Sequence, residues 1–247
     1  NEVVKEEKRQ SYDRPYGKIF KVLGENLFSV HPYKDENIGR MEDLDAASLD
    51  DFYSYFEKYY GPGNAVLVVA GDINIEETKG LAKKYFSAVE SKPELVRSFP
   101  QEKPITELSR VKTYDANIQV PAILAAYRTP GYTERDAYVL DMISAYLSGG
   151  KSSVLYKKLV DRQKQALEVA AINISQKDYS MFTFLALPLG DVSLDLLLEE
   201  MDEEIALVQS DLISERDYQK LQNQFESQFV NSNASVEGIA NSLAKYY

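Results

Sequence analysis

Apolar residues recur at helical spacing after residue 45, and this repeat predicts a helix with an aromatic face. The stripe runs through five positions: Leu49, Phe52, Tyr53, Phe56 and Tyr60. Residues three or four apart share one side of an α-helix, so we expect this side to pack inward. Asp45 or Ser48 is the expected N-cap, and the Gly-Pro-Gly-Asn sequence at 61–64 ends the helix.

A continuous apolar run follows at residues 65–70. Its length and its β-branched valines predict a strand that is covered on both faces. A further helix is expected to begin at Asn74 or Glu76, and it turns Leu81 and Tyr85 to one side.

Residues 91–112 are polar and contain Pro93, Pro100 and Pro104, a composition typical of a linker. Alternating or β-branched apolar runs after residue 110 predict four strands, at 111–116, 120–127, 169–174 and 181–187. The polar residues 175–179 join the last two strands into a hairpin. Helical spacing predicts further helices at 133–147, 152–160, 193–209, 214–229 and 236–247.

Strands and helices are therefore mixed, and the hairpin favours antiparallel pairing. The pattern predicts an α+β fold, with one domain in residues 1–90, a linker at 91–112 and a second domain in residues 113–247. No GxGxxG sequence or phosphate-binding loop is present, which argues against a nucleotide-binding fold.

Composition excludes several classes of function. The net charge of -11 leaves no basic stripe that could neutralise nucleic-acid phosphates. No run of eighteen or more apolar residues occurs, so no membrane-spanning helix is expected in this sequence. The chain has no Cys, so disulfides and thiolate metal sites are excluded. The sequence starts without Met in what reads as a charged helix, and we expect a preceding segment in the full protein.

No complete active site is visible in these residues. His31 is the only histidine and lies in a loop before Pro32, where a hydrogen bond to the loop backbone is the favoured interpretation. One histidine cannot build a typical catalytic zinc site, which takes three protein ligands and an open position. Glu2, Glu6 and Glu7 cluster on the first helix. Glu7 shares a predicted inward face with two valines, although such carboxylates are usually solvated.

Several short motifs are spread along nearly the whole chain. They are the helical segment Val3-Val4-Lys5-Glu6-Glu7, then residues 31–33, 38–39, 59–65 and 68–73, and then residues 129–131 and 147–156. In their order and spacing they resemble the pitrilysin/insulinase family of zinc peptidases. The first motif resembles the helix that carries the family's last zinc ligand, the middle group resembles the close of a first family unit, and the last two resemble the opening of a second unit.

The resemblance implies a processing-peptidase-like fold of two related units, each an antiparallel sheet with helices packed on it, both incomplete here. It implies a zinc site built from an HxxEH helix, which is not in this chain, and one glutamate on a later helix. In this sequence that glutamate is Glu7, and Glu6 is the alternative. No catalytic residue is expected within the chain itself, and the zinc is expected to be absent or weakly bound.

Active family members also present an Arg and a Tyr to the substrate carbonyl. We look for them near the hairpin at 174–187, which holds Lys177, Tyr179, Phe182 and Phe184 but no Arg. The absence suggests that a second chain supplies the pair, as in two-subunit members of the family.

The resemblance thus implies a fragment of a zinc metalloendopeptidase that cleaves peptides in a chamber between two halves. The alternative is a non-catalytic structural or partner subunit of a two-subunit peptidase, and a third alternative is an α+β binding module. A peptide substrate is expected, together with a homodimer or a heterodimer with a second family subunit. Family analogy weakly favours a bacterial periplasmic or cell-envelope location.

Overall fold

The computed structural model describes residues 1–91 and 96–247. Nine α-helices and three strands lie in this part of the chain. The helices before the sheet are α1 (Glu2–Asp13), α2 (Ile19–Leu27), α3 (Met41–Ala46), α4 (Leu49–Tyr59) and α5 (Ile75–Phe86). The strands are β1 (Ile123–Pro130), β2 (Ala166–Ile174) and β3 (Tyr179–Pro188). The later helices are α6 (Arg135–Ser148), α7 (Leu194–Ser210), α8 (Glu215–Ser232) and α9 (Val236–Tyr246).

The described residues divide into two compact units. The first unit contains residues 1–40 and 100–221, and the second contains residues 41–99 and 222–247. The linker and domain boundaries expected from the sequence stay predictions, and Lys92 and Pro93 of that linker lie outside the described residues. No helix in the described ranges is long and apolar enough to cross a membrane.

The first unit is built on one antiparallel sheet with the strand order β1-β3-β2. The predicted hairpin is confirmed, because β2 pairs with β3 from Ala166 opposite Pro188 to Ile174 opposite Met181. β1 pairs along the other edge of β3, with Arg128 opposite Met181. The α+β class with antiparallel pairing is therefore confirmed.

Both faces of the central strand β3 are covered by other parts of the first unit. Successive side chains of a strand point to opposite faces of the sheet, so neighbouring residues of β3 enter different cores. Phe182, Phe184 and Ala186 pack into the larger core with Leu197 and Met201 of α7. Met181 points the other way. It packs with Leu23, Leu27 and Phe28, the residues around the end of α2. This two-sided burial explains why β3 reads as an almost continuous apolar run.

A π-helical segment, Tyr156–Arg162, follows α6 and overlaps the helix predicted at 152–160. α6 ends at the Gly149-Gly150 pair, and Gly150 has a φ of 101°, which favours glycine. Leu155 and Leu159 then return to the larger core with no exposed surface. The Gly-Gly break and a helix after it were therefore predicted correctly, and the structure shows that this helix is of the π type.

The second unit contains α4, which begins as predicted at a Ser48 N-cap. Ser48 and Asp51 form a reciprocal capping box. The aromatic face of α4 is not packed inward within the described residues: Phe52, Phe56 and Tyr60 are 52%, 57% and 64% exposed. The inward packing expected from the spacing is wrong for this chain, since helical spacing identifies an apolar face and not the segment that covers it.

Two predicted strands are not formed. Residues 65–70 pair with no strand in the described parts of the chain, and neither do residues 111–116. A strand needs a neighbour to satisfy its backbone N–H and C=O groups, and local composition cannot supply one. The stronger strand, predicted at 120–127, is displaced by three residues to Ile123–Pro130.

Candidate functional site

The two candidate zinc ligands lie on the solvent side of α1. Glu6 and Glu7 are both exposed, whereas the buried residues of this helix are Lys5 and Lys8. The inward face expected for Glu7 and its valine neighbours is therefore wrong within the described residues, since Val3 is 82% and Val4 37% exposed. Charged residues make the contacts of α1 with the first unit, so the apolar pattern misidentified the anchored face.

The contacts of Glu6 and Glu7 differ. Arg9 Nη1 donates to Glu6 Oε2 at 3.2 Å, and Gln10 Nε2 lies 3.4 Å from Glu6 Oε1. Within residues 1–91 and 96–247, no hydrogen bond or ion pair engages the Glu7 carboxylate. Glu7 is therefore the carboxylate of the two that is available to an added cation, and which of them binds a metal stays a prediction.

The chain by itself does not assemble a metal centre in its described part. No group of three or more His, Cys, Asp or Glu side chains converges there to hold an ion. A single exposed carboxylate fits the role of one zinc ligand, because carboxylate oxygens are ordinary partners of zinc. A catalytic site takes three protein ligands, so the rest of the site needs side chains from elsewhere.

A second cluster of charged residues is buried where residues 29–31 meet the segment around residue 102. Glu102 Oε1 accepts hydrogen bonds from the backbone N–H groups of Ser29, Val30 and His31 at 2.7, 2.7 and 2.8 Å. Ser29 Oγ donates to Oε2 at 2.8 Å. Successive N–H groups of this kind form an anion-binding concavity, and here a carboxylate of the same chain fills it.

These hydrogen bonds lower the pKa of the Glu102 carboxyl and keep it ionised. Burial by itself raises the pKa of this carboxyl, whose side chain is 2% exposed. The hydrogen bonds from His31, Val30 and Ser29 outweigh burial and lower the pKa to about 2. Glu102 is therefore ionised and bound at neutral pH, in a segment that the sequence identifies only as a polar linker.

Arg128 provides the counter-charge from β1. Its Nη1 lies 3.5 Å from Glu102 Oε2 and donates to the Leu27 carbonyl at 2.6 Å, while Nη2 donates to the Lys103 carbonyl. The guanidinium also lies over the ring of Tyr179, 5.5 Å from its centroid. The side chain is only 9% exposed and is bound to two backbone carbonyls and a carboxylate, so its role is to hold these segments together.

The structure bears on the substrate-binding Arg that was expected near the hairpin. As the sequence indicates, the hairpin itself holds no Arg, but the neighbouring strand brings Arg128 against Tyr179. The sequence did not indicate this pair, because the Arg was expected within the hairpin at 174–187 and Arg128 lies on the strand paired with it. Phe182 and Phe184 belong to the core, and Lys177 is exposed at the hairpin tip. Whether another chain supplies an Arg and a Tyr stays a prediction.

His31 is buried at 2% exposure, in agreement with the expected structural role. Its Nδ1 accepts a hydrogen bond from the Tyr33 N–H at 3.3 Å, and its Nε2 lies 3.3 Å from Asp178 Oδ2. The imidazole packs edge-on against the rings of Tyr33 and Tyr179. These contacts join the loop after α2 to the β2–β3 hairpin.

An acidic cluster on α7 surrounds Lys158. The ammonium lies 2.8 Å from Glu200, 3.0 Å from Glu203 and 3.0 Å from Glu204. Burial lowers the pKa of Lys158, but the hydrogen bonds to the three carboxylates outweigh it and raise the pKa above its usual range. The lysine therefore stays charged, and these carboxylates are satisfied by a cation that the chain itself provides.

Comparison with known proteins assigns the chain to a family. The family described as "Peptidase M16 inactive domain" matches residues 46–225, well over half of the chain. The zinc protease PqqE of Helicobacter pylori is 27% identical over 248 residues, covering 99% of this chain and 56% of the relative. An uncharacterized zinc protease of Rickettsia felis is 24% identical and covers 100% of this chain and 58% of the relative.

The crystal structure of a protease from Helicobacter pylori is similar over 99% of this chain and 60% of its own, with a TM-score of 0.85 and 25% identity. The chain thus spans little more than half the length of these relatives. The resemblance to zinc peptidases described from the sequence is confirmed. Glu6 and Glu7 precede the matched residues 46–225, so the match to the inactive domain does not bear on their role.

Proposed function

Because the chain belongs to the M16 peptidase family, with a domain of the inactive type, we propose that it is the scaffold-bearing part of a zinc metallopeptidase. In this proposal the chain supplies Glu7 as one zinc ligand, and the HxxEH helix lies in another part of the protein. The observation that carries the proposal is the exposed Glu7 carboxylate, free of partners among the described residues, beside a Glu6 that is already paired.

The chemistry of the complete site follows from the metal. A zinc ion, when bound, lowers the pKa of a water molecule and polarises the peptide carbonyl. The role of this chain is to hold one ligand on a fixed helix and to form part of the wall of a chamber in which a peptide is cleaved. By itself the chain is expected to bind zinc weakly and to hydrolyse no peptide.

The exposed face of α4 supports the larger assembly. Leu49, Phe52 and Phe56 leave more than half of their surfaces exposed, and such a continuous apolar stripe is characteristic of an interface. We propose that the remainder of a longer protein covers it, because relatives named zinc proteases are nearly twice as long as this chain.

The alternative is a partner subunit without catalytic activity, paired with a second family subunit. The description of the matched domain as inactive favours it. Zinc content separates the two functions, because a catalytic protein of this family needs the ion and a structural partner does not.

Replacing Glu7 tests the proposal directly. In the full-length protein, Glu7→Gln is expected to weaken zinc binding at least tenfold, since an amide oxygen is a neutral and poorer ligand than a carboxylate. Zinc per chain is measured by elemental analysis after dialysis, and the affinity by competition with a chelator. Peptide hydrolysis should fall in parallel.

Glu6→Gln is the matched control, because it removes the same charge from the adjacent position. It is expected to retain zinc, since Arg9 and Gln10 already engage that carboxylate. Loss of zinc in Glu6→Gln alone would assign the ligand to Glu6. A wild-type protein that holds no zinc and cleaves no peptide would support the partner subunit.

A further inference from the structure

The attachment of α1 to the first unit is polar. Its buried residues are Lys5 and Lys8, and its two valines are exposed. Apolar packing therefore does not set the rotation of this helix about its axis. The contacts between α1 and the loop after α2 are instead hydrogen bonds donated by Lys8 and Tyr12.

Lys8 makes the central contacts of this attachment. Its side chain is 8% exposed, and its Nζ donates to the carbonyl of Gly39 at 2.5 Å and lies 3.2 Å from Glu36 Oε2. The Tyr12 hydroxyl donates to the same Glu36 carboxylate. Lys8 also lies over the Tyr12 ring, 5.0 Å from its centroid. Two side chains of α1 thus hold one carboxylate of the loop that follows α2.

Helix geometry relates these contacts to Glu7. Successive residues are rotated by about 100°, so Lys8 and Tyr12, four positions apart, share one face. Glu7 is rotated by about 100° from Lys8 and by about 140° from Tyr12. The anchored face therefore turns Glu7 toward the open side of the helix. Any rotation of α1 would move the Glu7 carboxylate along an arc, and zinc ligation tolerates little displacement.

We propose that Lys8, Glu36 and Tyr12 are positioning residues, which fix the rotation of α1 and thereby aim the Glu7 carboxylate at the zinc ion. This inference rests on the proposed function, because it requires Glu7 to be a ligand. The proposal gives none of the three a direct contact with the metal. They act through Glu7, as outer-shell hydrogen bonds act on the ligands that they orient.

The test measures zinc affinity in the full-length protein by competition with a chelator, without reference to activity. Lys8→Met is expected to weaken zinc binding about tenfold, the lower end of the range for outer-shell changes. Tyr12→Phe removes a single hydroxyl and is expected to produce a smaller loss in the same direction. Lys8→Arg, which keeps the positive charge and the N–H donors, should recover part of the affinity.

Lys21→Met is the matched control. Lys21 also lies over the Tyr12 ring, at 6.0 Å, but its side chain is 46% exposed and its carboxylate partner, 3.9 Å away, is Glu25. Its replacement removes a positive charge from the same neighbourhood and should leave zinc affinity unchanged. An equal loss in Lys21→Met and Lys8→Met would overturn the proposal, because it would show a general effect of charge.

A double variant separates positioning from general stability. If Lys8 acts only through Glu7, then Glu7→Gln with Lys8→Met binds zinc no more weakly than Glu7→Gln alone. Losses that add would overturn the positioning role. If Lys8→Met does not fold, judged by far-UV circular dichroism, then Tyr12→Phe combined with Glu7→Gln provides the same comparison.

Failure of the proposed function gives a different result. If Glu7→Gln leaves zinc affinity unchanged, then Glu7 is not a ligand, and the proposed function loses its basis together with the inference. If Glu7→Gln weakens binding while Lys8→Met and Tyr12→Phe do not, the proposed function stands and only the positioning role is overturned.

Discussion

Arg128→Met is expected to destabilise the first unit by about 3–5 kcal/mol, the usual cost of removing one partner from a buried ion pair. The substitution leaves the Glu102 carboxylate buried without its counter-charge. It also removes the hydrogen bonds to the carbonyls of Leu27 and Lys103. Because these contacts join α2, residues 102–103 and β1, the loss should affect the cooperative unfolding of the whole unit.

The measurement is urea-induced unfolding followed by far-UV circular dichroism, since the chain contains no Trp to serve as a fluorescent probe. Arg110→Met is the control. Arg110 lies 2.8 Å from Asp195, but the two side chains are 64% and 69% exposed, and a surface pair contributes about 1 kcal/mol or less. If Arg128→Met and Arg110→Met unfold at the same urea concentration, the buried ion pair stabilises the protein no more than the exposed one, and the prediction is wrong.

Acid is expected to lower the free energy of unfolding, because it protonates Glu102. Its pKa is about 2 in the folded protein, against a usual value of 4.5, so the unfolded chain binds the proton more tightly. The stabilising contribution is therefore complete above about pH 4.5 and is lost as the pH falls toward 2. From the difference between these pKa values, the contribution is about 3 kcal/mol.

The prediction is tested by measuring the unfolding free energy of the wild type and of Glu102→Gln between pH 7 and pH 2.5. The wild type should be more stable than Glu102→Gln at pH 7. The difference between their free energies of unfolding should decrease toward pH 2.5 by most of the contribution of about 3 kcal/mol. Glu107→Gln, in the same segment with an exposed side chain, should keep the wild-type profile. A difference between wild type and Glu102→Gln that does not change with pH would contradict the bound, ionised state of Glu102.

The sequence predicted the hairpin and most of the helices well. The β2–β3 hairpin follows from two apolar runs and a polar tip, all within about twenty residues, and local patterns specify local pairing. The N-cap of α4 was narrowed to Asp45 or Ser48, and the structure shows that Ser48 caps the helix through a reciprocal contact with Asp51. The unformed strand at 65–70 failed because a strand depends on a partner that lies elsewhere.

The buried charges were the part of the site that the sequence did not predict. Glu102 accepts a hydrogen bond from Ser29, which lies 73 residues away in the sequence. Arg128 donates to the Leu27 carbonyl, which lies 101 residues away. Local patterns treat a charged residue in a polar stretch as solvated, since most are. Lys8 was missed on α1 for the same reason. Its partners Glu36 and Gly39 lie 28 and 31 residues away.

The sequence by itself determined the family, the class of fold and the two carboxylates that are candidates for zinc. These depend on short phrases, on their order and on periodicities of two and 3.6 residues. Only the tertiary structure decided that, among the described residues, Glu6 has partners and Glu7 has none, that Lys8 of α1 is buried against Glu36 and Gly39, and that Glu102 is a buried carboxylate. The physical reason is that the energy of a charge depends on its burial and its partners, and these are set by contacts between segments distant in the chain.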